Sequence, residues 1–183
     1  MNWNQHRLPQ DHALLSASKY HWLNYDDRAM VEALRRAEAA ARGTRLHAFA
    51  AQAIRLGIRL PKNGQTLNRY VNDAIGFRMT PEQVLYYSPN AFGTADAISF
   101  RRGQLRVHDL KTGVTKASIN QLMVYAALFF LEYEVLPART RTELRIYQND
   151  DVEALVPDTA DIIHVMDRIK HLDQVINQAR EEV

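Results

Sequence analysis

The stretch Gly93–Gly113, GTADAISFRRGQLRVHDLKTG, decides how the chain folds. Two runs in which apolar residues alternate flank Arg102-Gly103, and Gly103 can supply the positive φ that a two-residue hairpin turn requires. If Arg101 faces Gln104, then Phe100 meets Leu105, Ile98 meets Val107 and Asp96 meets Asp109. Turn chemistry and hydrophobic pattern thus agree on one register. Directly opposed residues have Cβ atoms roughly 4.5–5.5 Å apart, where two ionised carboxylates repel. A shared proton, a lysine or a bound cation has to offset that repulsion. Lys111, two residues beyond Asp109, projects on the same face. Hard oxygen ligands in this arrangement suit Mg²⁺ or Mn²⁺. Acids at a strand end beside an Asp-x-Lys ion pair are also compatible with a plain solvated surface.

Working outward, LLSASKYHWLNY reads as a short helix entered through Ser16 or Ser18, and residues 27–57 as a long helix with Gly43 as a break or a packing contact. Pro61 and Gly64 close that segment, and residues 65–77 form another helix with Leu67, Tyr70, Val71 and Ile75 on one side. EQVLYYS (82–88) is dense in β-formers and reads as the strand before the hairpin. Residues 116–135 predict a strongly apolar, buried helix, and TELRIYQ (142–148) a further strand. Pro157 opens a last helix whose apolar stripe comprises Ile162, Ile163, Val165, Met166, Ile169, Leu172, Val175 and Ile176. The order is helices, three strands, a helix, a strand and a helix. That order predicts an α/β fold in which a small mixed β-sheet is flanked by helices. With no repeat and no Gly/Ser linker, residues 1–183 read as a single domain.

Composition narrows the chemistry. The 183 residues are 46% hydrophobic and 24% charged, as in an ordinary globular protein. The absence of cysteine excludes disulfides, thiolate zinc sites and an iron–sulfur cluster, and fits a cytoplasmic location. No apolar run approaches a membrane span, so no membrane partner is expected. The net charge of +2 conceals an asymmetry. Residues 33–78 carry nine basic side chains against Glu38 and Asp73, whereas residues 150–183 carry nine acids against Arg168, Lys170 and Arg180. A basic first half can face a polyanion, although two solvated helix faces of opposite sign give the same pattern.

Taken in order, GTAD, VHDLKTG and QLMVY resemble the core of the PD-(D/E)xK nucleases, in the RecB-type, phage exonuclease-like branch. GTRLHAFA resembles the upstream helix of that branch, which supplies a histidine, here His47; Glu82 resembles an acid found between that histidine and Gly-x-x-Asp. HALLSASKYHWLNY is similar to the N-terminal segment of phage-encoded members, so the likeness spans roughly residues 12–133. Many relatives carry cysteines for a cluster; this chain has none, nor a phosphate loop of the Walker type.

The resemblance implies a restriction-endonuclease-like core and a Mg²⁺- or Mn²⁺-dependent deoxyribonuclease. Its expected role is exonucleolytic hydrolysis of DNA phosphodiesters in phage-type recombination, repair or replication. In that reading Asp96, Asp109, the carbonyl of Leu110 and His47 hold metal, and Lys111 orients the attacking water. Gln121 and Tyr125 contact the phosphate or the lysine, and Glu82 belongs to the catalytic set. DNA is the expected partner, with a homo-oligomer and a recombination or replication protein as further expectations. The alternative is a non-catalytic nucleic-acid-binding or assembly module that retains the fold. Taken singly, His47 also fits a hydrogen-bonded core histidine, Gln121 and Tyr125 polar positions on a buried helix, and Glu82 a salt bridge near Pro81. Trp3, Trp22, Tyr86 and Tyr87 fit base stacking or core packing.

Overall fold

The computed structural model describes residues 13–182. The chain divides into two compact units, one ending at Thr44 and the other beginning at Arg45. In the first, a 3₁₀ segment, Ala17–Asn24, replaces the expected short helix; Ser16 precedes it without a side-chain cap, and Lys19 is non-helical. Trp22 Nε1 donates to the Ser16 carbonyl at 2.9 Å, which gives this indole a local structural role; Trp3 lies outside the described residues. Helix α1 (Asp27–Leu56) is entered through Asp26, whose carboxylate accepts the Ala29 N–H at 2.7 Å, and it runs through Gly43 without a break.

The second unit holds the rest of α1, α2 (Thr66–Gly76), β1 (Thr80–Ser88), β2 (Ala91–Arg101), β3 (Gln104–Leu110), α3 (Asn120–Tyr133), β4 (Arg141–Gln148), β5 (Asp151–Leu155) and α4 (Thr159–Glu181). Gly57, at φ 67°, ends α1. Ile58 N–H reaches the Ala53 carbonyl at 2.9 Å and Gly57 N–H the Ile54 carbonyl at 3.1 Å, a Schellman closure that comes before Pro61 and Gly64. The strands form one sheet in the order β1-β2-β3-β4-β5; only β3 and β4 are parallel, with α3 as the crossover between them. The expected α/β architecture, a small mixed sheet flanked by helices, is the one observed.

The hairpin register is as read from the sequence. Arg101 pairs with Gln104, Phe100 with Leu105 and Ile98 with Val107, around a turn in which Arg102 (φ 51°) and Gly103 (φ 73°) are both left-handed. That is the turn geometry whose twist matches paired strands. The same device recurs at Asn149 (φ 51°) and Asp150 (φ 58°), which turn β4 into β5, a strand the sequence reading omitted. Asn and Asp tolerate the left-handed region well enough to serve where glycine is usual.

Two apolar clusters cover the two sides of the sheet. Leu85, Ile98, Leu105, Val107, Leu144 and Ile146 pack with Leu122, Met123, Ala126, Phe130 of α3 and Ile162 of α4. Ala97, Leu110 and Tyr147 pack instead with Ala50, Ala53 and Ile54 of α1 and Tyr70, Val71 and Ala74 of α2. The expected α4 stripe is only partly a core stripe: Val165, Met166 and Ile169 pack inward, while Ile163, Leu172, Val175 and Ile176 are exposed. The buried helix begins at Asn120, four residues later than expected, with the Ser118 hydroxyl accepting the Asn120 N–H at 3.2 Å.

Candidate active site

Three adjacent strands bring three acids into one row. β1 pairs with β2 through Pro81↔Ala97 and Gln83↔Ala95, so Glu82 falls opposite Asp96. β2 pairs with β3 as far as Ala97↔His108, so Asp96 and Asp109 follow directly after the last pair of the hairpin. Alternation breaks at this row. Ala95 packs on the α3 side and Ala97 on the α2 side, although a regular strand would put both on one face. Glu82 marks the break with a φ of 53°, a left-handed backbone inside a strand at a non-glycine residue. Such geometry costs of order 1–3 kcal/mol and persists only where surrounding structure imposes it.

The break leaves Asp96 within reach of groups from both layers. Its Oδ2 accepts the backbone N–H of Leu110 at 2.9 Å and lies 3.4 Å from Nδ1 of His47 on α1. His47, Glu82 and Asp96 each offer a ligand atom within 4.8 Å of the others. Asp109 stands beside this trio: it is 2% exposed, and Lys111 Nζ sits 3.1 Å from its Oδ1 and 2.9 Å from its Oδ2. Lys111 is itself fixed, because its backbone N–H donates to the Tyr147 carbonyl at 2.9 Å and so extends the parallel β3–β4 pairing past Leu110.

From α3, Gln121 Oε1 accepts a hydrogen bond from Lys111 Nζ at 2.8 Å, and Gln121 Nε2 donates to the Tyr125 hydroxyl at 2.9 Å. A four-residue spacing places both on one helix face. Gln121 and Tyr125 thus join a chain running Asp109, Lys111, Gln121, Tyr125. The sequence did not disclose why Gly93 precedes them. A Cβ at Gly93 would stand 3.0 Å from Tyr125 Cε1, so the glycine makes room for the ring. Leu110 contributes its backbone here, while its side chain is buried in the α2-side core. Tyr86 is exposed and stacks on Phe92, whereas Tyr87 packs against the core.

The electrostatics of the row are unbalanced. Burial, then the neighbouring Asp96 carboxylate, push the Asp109 carboxyl above its usual range, and Lys111 only partly restores it. His47 is also pushed up, first by its hydrogen bond to Asp96, with the Asp96, Asp109 and Glu82 charges adding to it against the effect of burial. Tyr125 is raised by burial. Asp109 and His47 thus both hold a proton more tightly than usual, Asp109 chiefly through burial and His47 chiefly through its contact with Asp96.

That donor set fits a divalent cation. Carboxylate oxygens and an imidazole nitrogen suit Mn²⁺ or Mg²⁺. Ligand atoms up to 4.8 Å apart can share one ion, because metal–oxygen distances of roughly 2.0–2.6 Å span about that width across the ion. Residues 79–181, which include Glu82, Asp96, Asp109, Lys111, Gln121 and Tyr125 but not His47, match the family described as protein of unknown function (DUF2800). No curated protein and no solved structure matches the chain.

Proposed function

The chain belongs to the DUF2800 family, a membership that carries no chemistry with it, and from the site we propose a metal-dependent nuclease of the PD-(D/E)xK type that hydrolyses DNA phosphodiesters. The observation that carries the reading is the row Glu82, Asp96 and Asp109, with His47 at one side and Lys111 at the other. A like-charged row beside a partly desolvated lysine suits binding of a cation and a phosphate together. Asp96, Asp109, Glu82 and His47 would hold Mg²⁺ or Mn²⁺, with the Leu110 carbonyl as a further ligand. A bound cation supplies a water of lowered pKa and neutralises charge on the phosphoryl oxygens.

This chain's residues divide the remaining work. Lys111, between Asp109 and Gln121, is placed to orient the attacking water and to balance the negative charge of a phosphodiester. Water oxygen attacks phosphorus, a P–O ester bond breaks, and the departing sugar oxygen takes up a proton. Gln121 holds Lys111 in position, and Tyr125 holds Gln121. Exonuclease action in recombination, repair or replication is the finer form of the proposal, with DNA as partner.

The test is a time course on linear, circular, single- and double-stranded DNA with Mg²⁺ or Mn²⁺, set against chelator. The expected result is degradation that stops with chelator. Retention of DNA without any cleavage under all metal conditions would favour the non-catalytic binding module instead.

A further inference from the structure

We propose that the cavity between the α1–α2 loop and α2 binds a phosphate group, at a place outside the carboxylate row. The cavity measures about 560 Å³, large enough for a nucleotide-sized ligand. Arg59, Lys62 and Arg69 line it, against a single acid, Asp73. That acid is already engaged: the Tyr147 hydroxyl donates to its Oδ2 at 2.7 Å, and Arg145 lies 3.4 Å from the same oxygen. None of the three lining cations forms an ion pair with an acid among the described residues.

The loop that presents Arg59 and Lys62 is held in place from α2. Asn72 Oδ1 accepts the Leu60 N–H, and its Nδ2 donates to the Leu60 carbonyl, both at 2.9 Å. Asn68, 9% exposed, donates to the Pro61 carbonyl at 3.0 Å and to Asn63 Oδ1 at 2.9 Å. Two asparagines four residues apart thus clamp the loop at both ends of Leu60–Asn63. Arg69 is steadied from outside by its bond to the Asp150 carbonyl at 3.0 Å. The amide groups are consumed in this clamp, so the cations are what the cavity offers a ligand. The fixed loop backbone presents Arg59 and Lys62 beside Arg69 before any ligand arrives, and two guanidiniums with one ammonium match the several oxygens of a phosphate better than one carboxylate. The phosphate can belong to a polynucleotide backbone or to a free nucleotide.

Metal-free conditions separate this inference from the catalytic one. Fluorescence anisotropy of a labelled 12-nucleotide single-stranded DNA, and calorimetry with a nucleoside monophosphate and with inorganic phosphate, would be run in chelator on wild type and two double variants. The variants are R59E/K62E and R59Q/K62Q; both positions are exposed, so folding is not at stake. Loss of at least tenfold in oligonucleotide affinity, with the salt slope reduced by about 1.4 for two phosphate contacts on a single strand, is expected if the backbone is the source. Parallel loss of mononucleotide or inorganic phosphate binding identifies a free phosphate as the source. Equal binding of all three probes by wild type and both variants, or no binding by wild type, overturns the proposal. A wild type that cuts no DNA yet shows the loss would sink the nuclease reading and leave this one standing.

Discussion

At the residue scale, the site is stabilised badly on its own. A carboxyl whose folded pKa is raised contributes stability while it is protonated and loses it as pH rises through the folded value, so ionised Asp109 destabilises the metal-free protein at pH 7. D109N should therefore raise the melting temperature in chelator while abolishing cleavage, and added Mn²⁺ should stabilise wild type more than the variant. Thermal denaturation at pH 7 with and without metal checks both. Gly93 offers a sharper probe. G93A places a methyl 3.0 Å from the Tyr125 ring, which is half-buried and can move. The expected cost in stability is below about 1 kcal/mol, whereas the Tyr125–Gln121–Lys111 chain is displaced and the cleavage rate falls. Unfolding and rate measured on one sample distinguish these effects. Asp96, Asp109 and Lys111 were legible from turn and strand spacing, whereas Gln121 and Tyr125 were singled out by the resemblance to the PD-(D/E)xK nucleases. The crowding at Gly93 was not legible, because it depends on how closely α3 approaches β2.

At the element scale, turn chemistry carried most of the information. Arg102-Gly103 set the hairpin register as far as Ala97↔His108, beside Asp96 and Asp109, and a slip of one residue would have turned every side chain to the other face. The Glu82–Asp96 step was hidden, because it rests on a left-handed residue within β1 and no local sequence signal requires Glu82 to adopt one. β5 was missed for a related reason: QNDDVEAL lacks the glycine that usually announces a hairpin, and the strand is an exposed edge with little apolar content. Asp150 also ties that turn to α2, where its Oδ1 accepts the Thr66 N–H at 2.7 Å and the Thr66 hydroxyl at 3.0 Å. These bonds hold its carboxyl below the usual range. D150A is expected to lower the melting temperature and to loosen the α2 N-terminus, read as faster amide exchange at Thr66–Asn68.

At the scale of the whole molecule, charge is handled differently in the sealed core and in the carboxylate row. Beneath α2, His108 is fully buried next to Tyr147, with Arg106 and Arg145 nearby over Phe77, and burial followed by those two cations pushes its pKa down to about 3. A histidine with a depressed folded pKa stabilises above its unfolded value of about 6.5 and loses that contribution as pH falls toward the folded one. Urea denaturation should show wild type losing about 1.4 kcal/mol per pH unit below pH 6.5 that H108L does not lose. Around the carboxylate row, by contrast, His47 of α1, Asp109 of β3 and Tyr125 of α3 all hold their protons more tightly than usual. None of the helices among the described residues is long and apolar enough to cross a membrane. The central claim is that Glu82, Asp96 and Asp109 would hold a divalent cation and that Lys111 beside them orients the water that cleaves the DNA phosphodiester. It is tested most directly by comparing Mn²⁺-dependent degradation of linear DNA by wild type and K111A, with the variant shown to be folded by its melting curve. The account predicts degradation by wild type, none in chelator, and a loss of at least about a hundredfold in K111A. Degradation by K111A at the wild-type rate, or none by wild type in Mn²⁺, would contradict it.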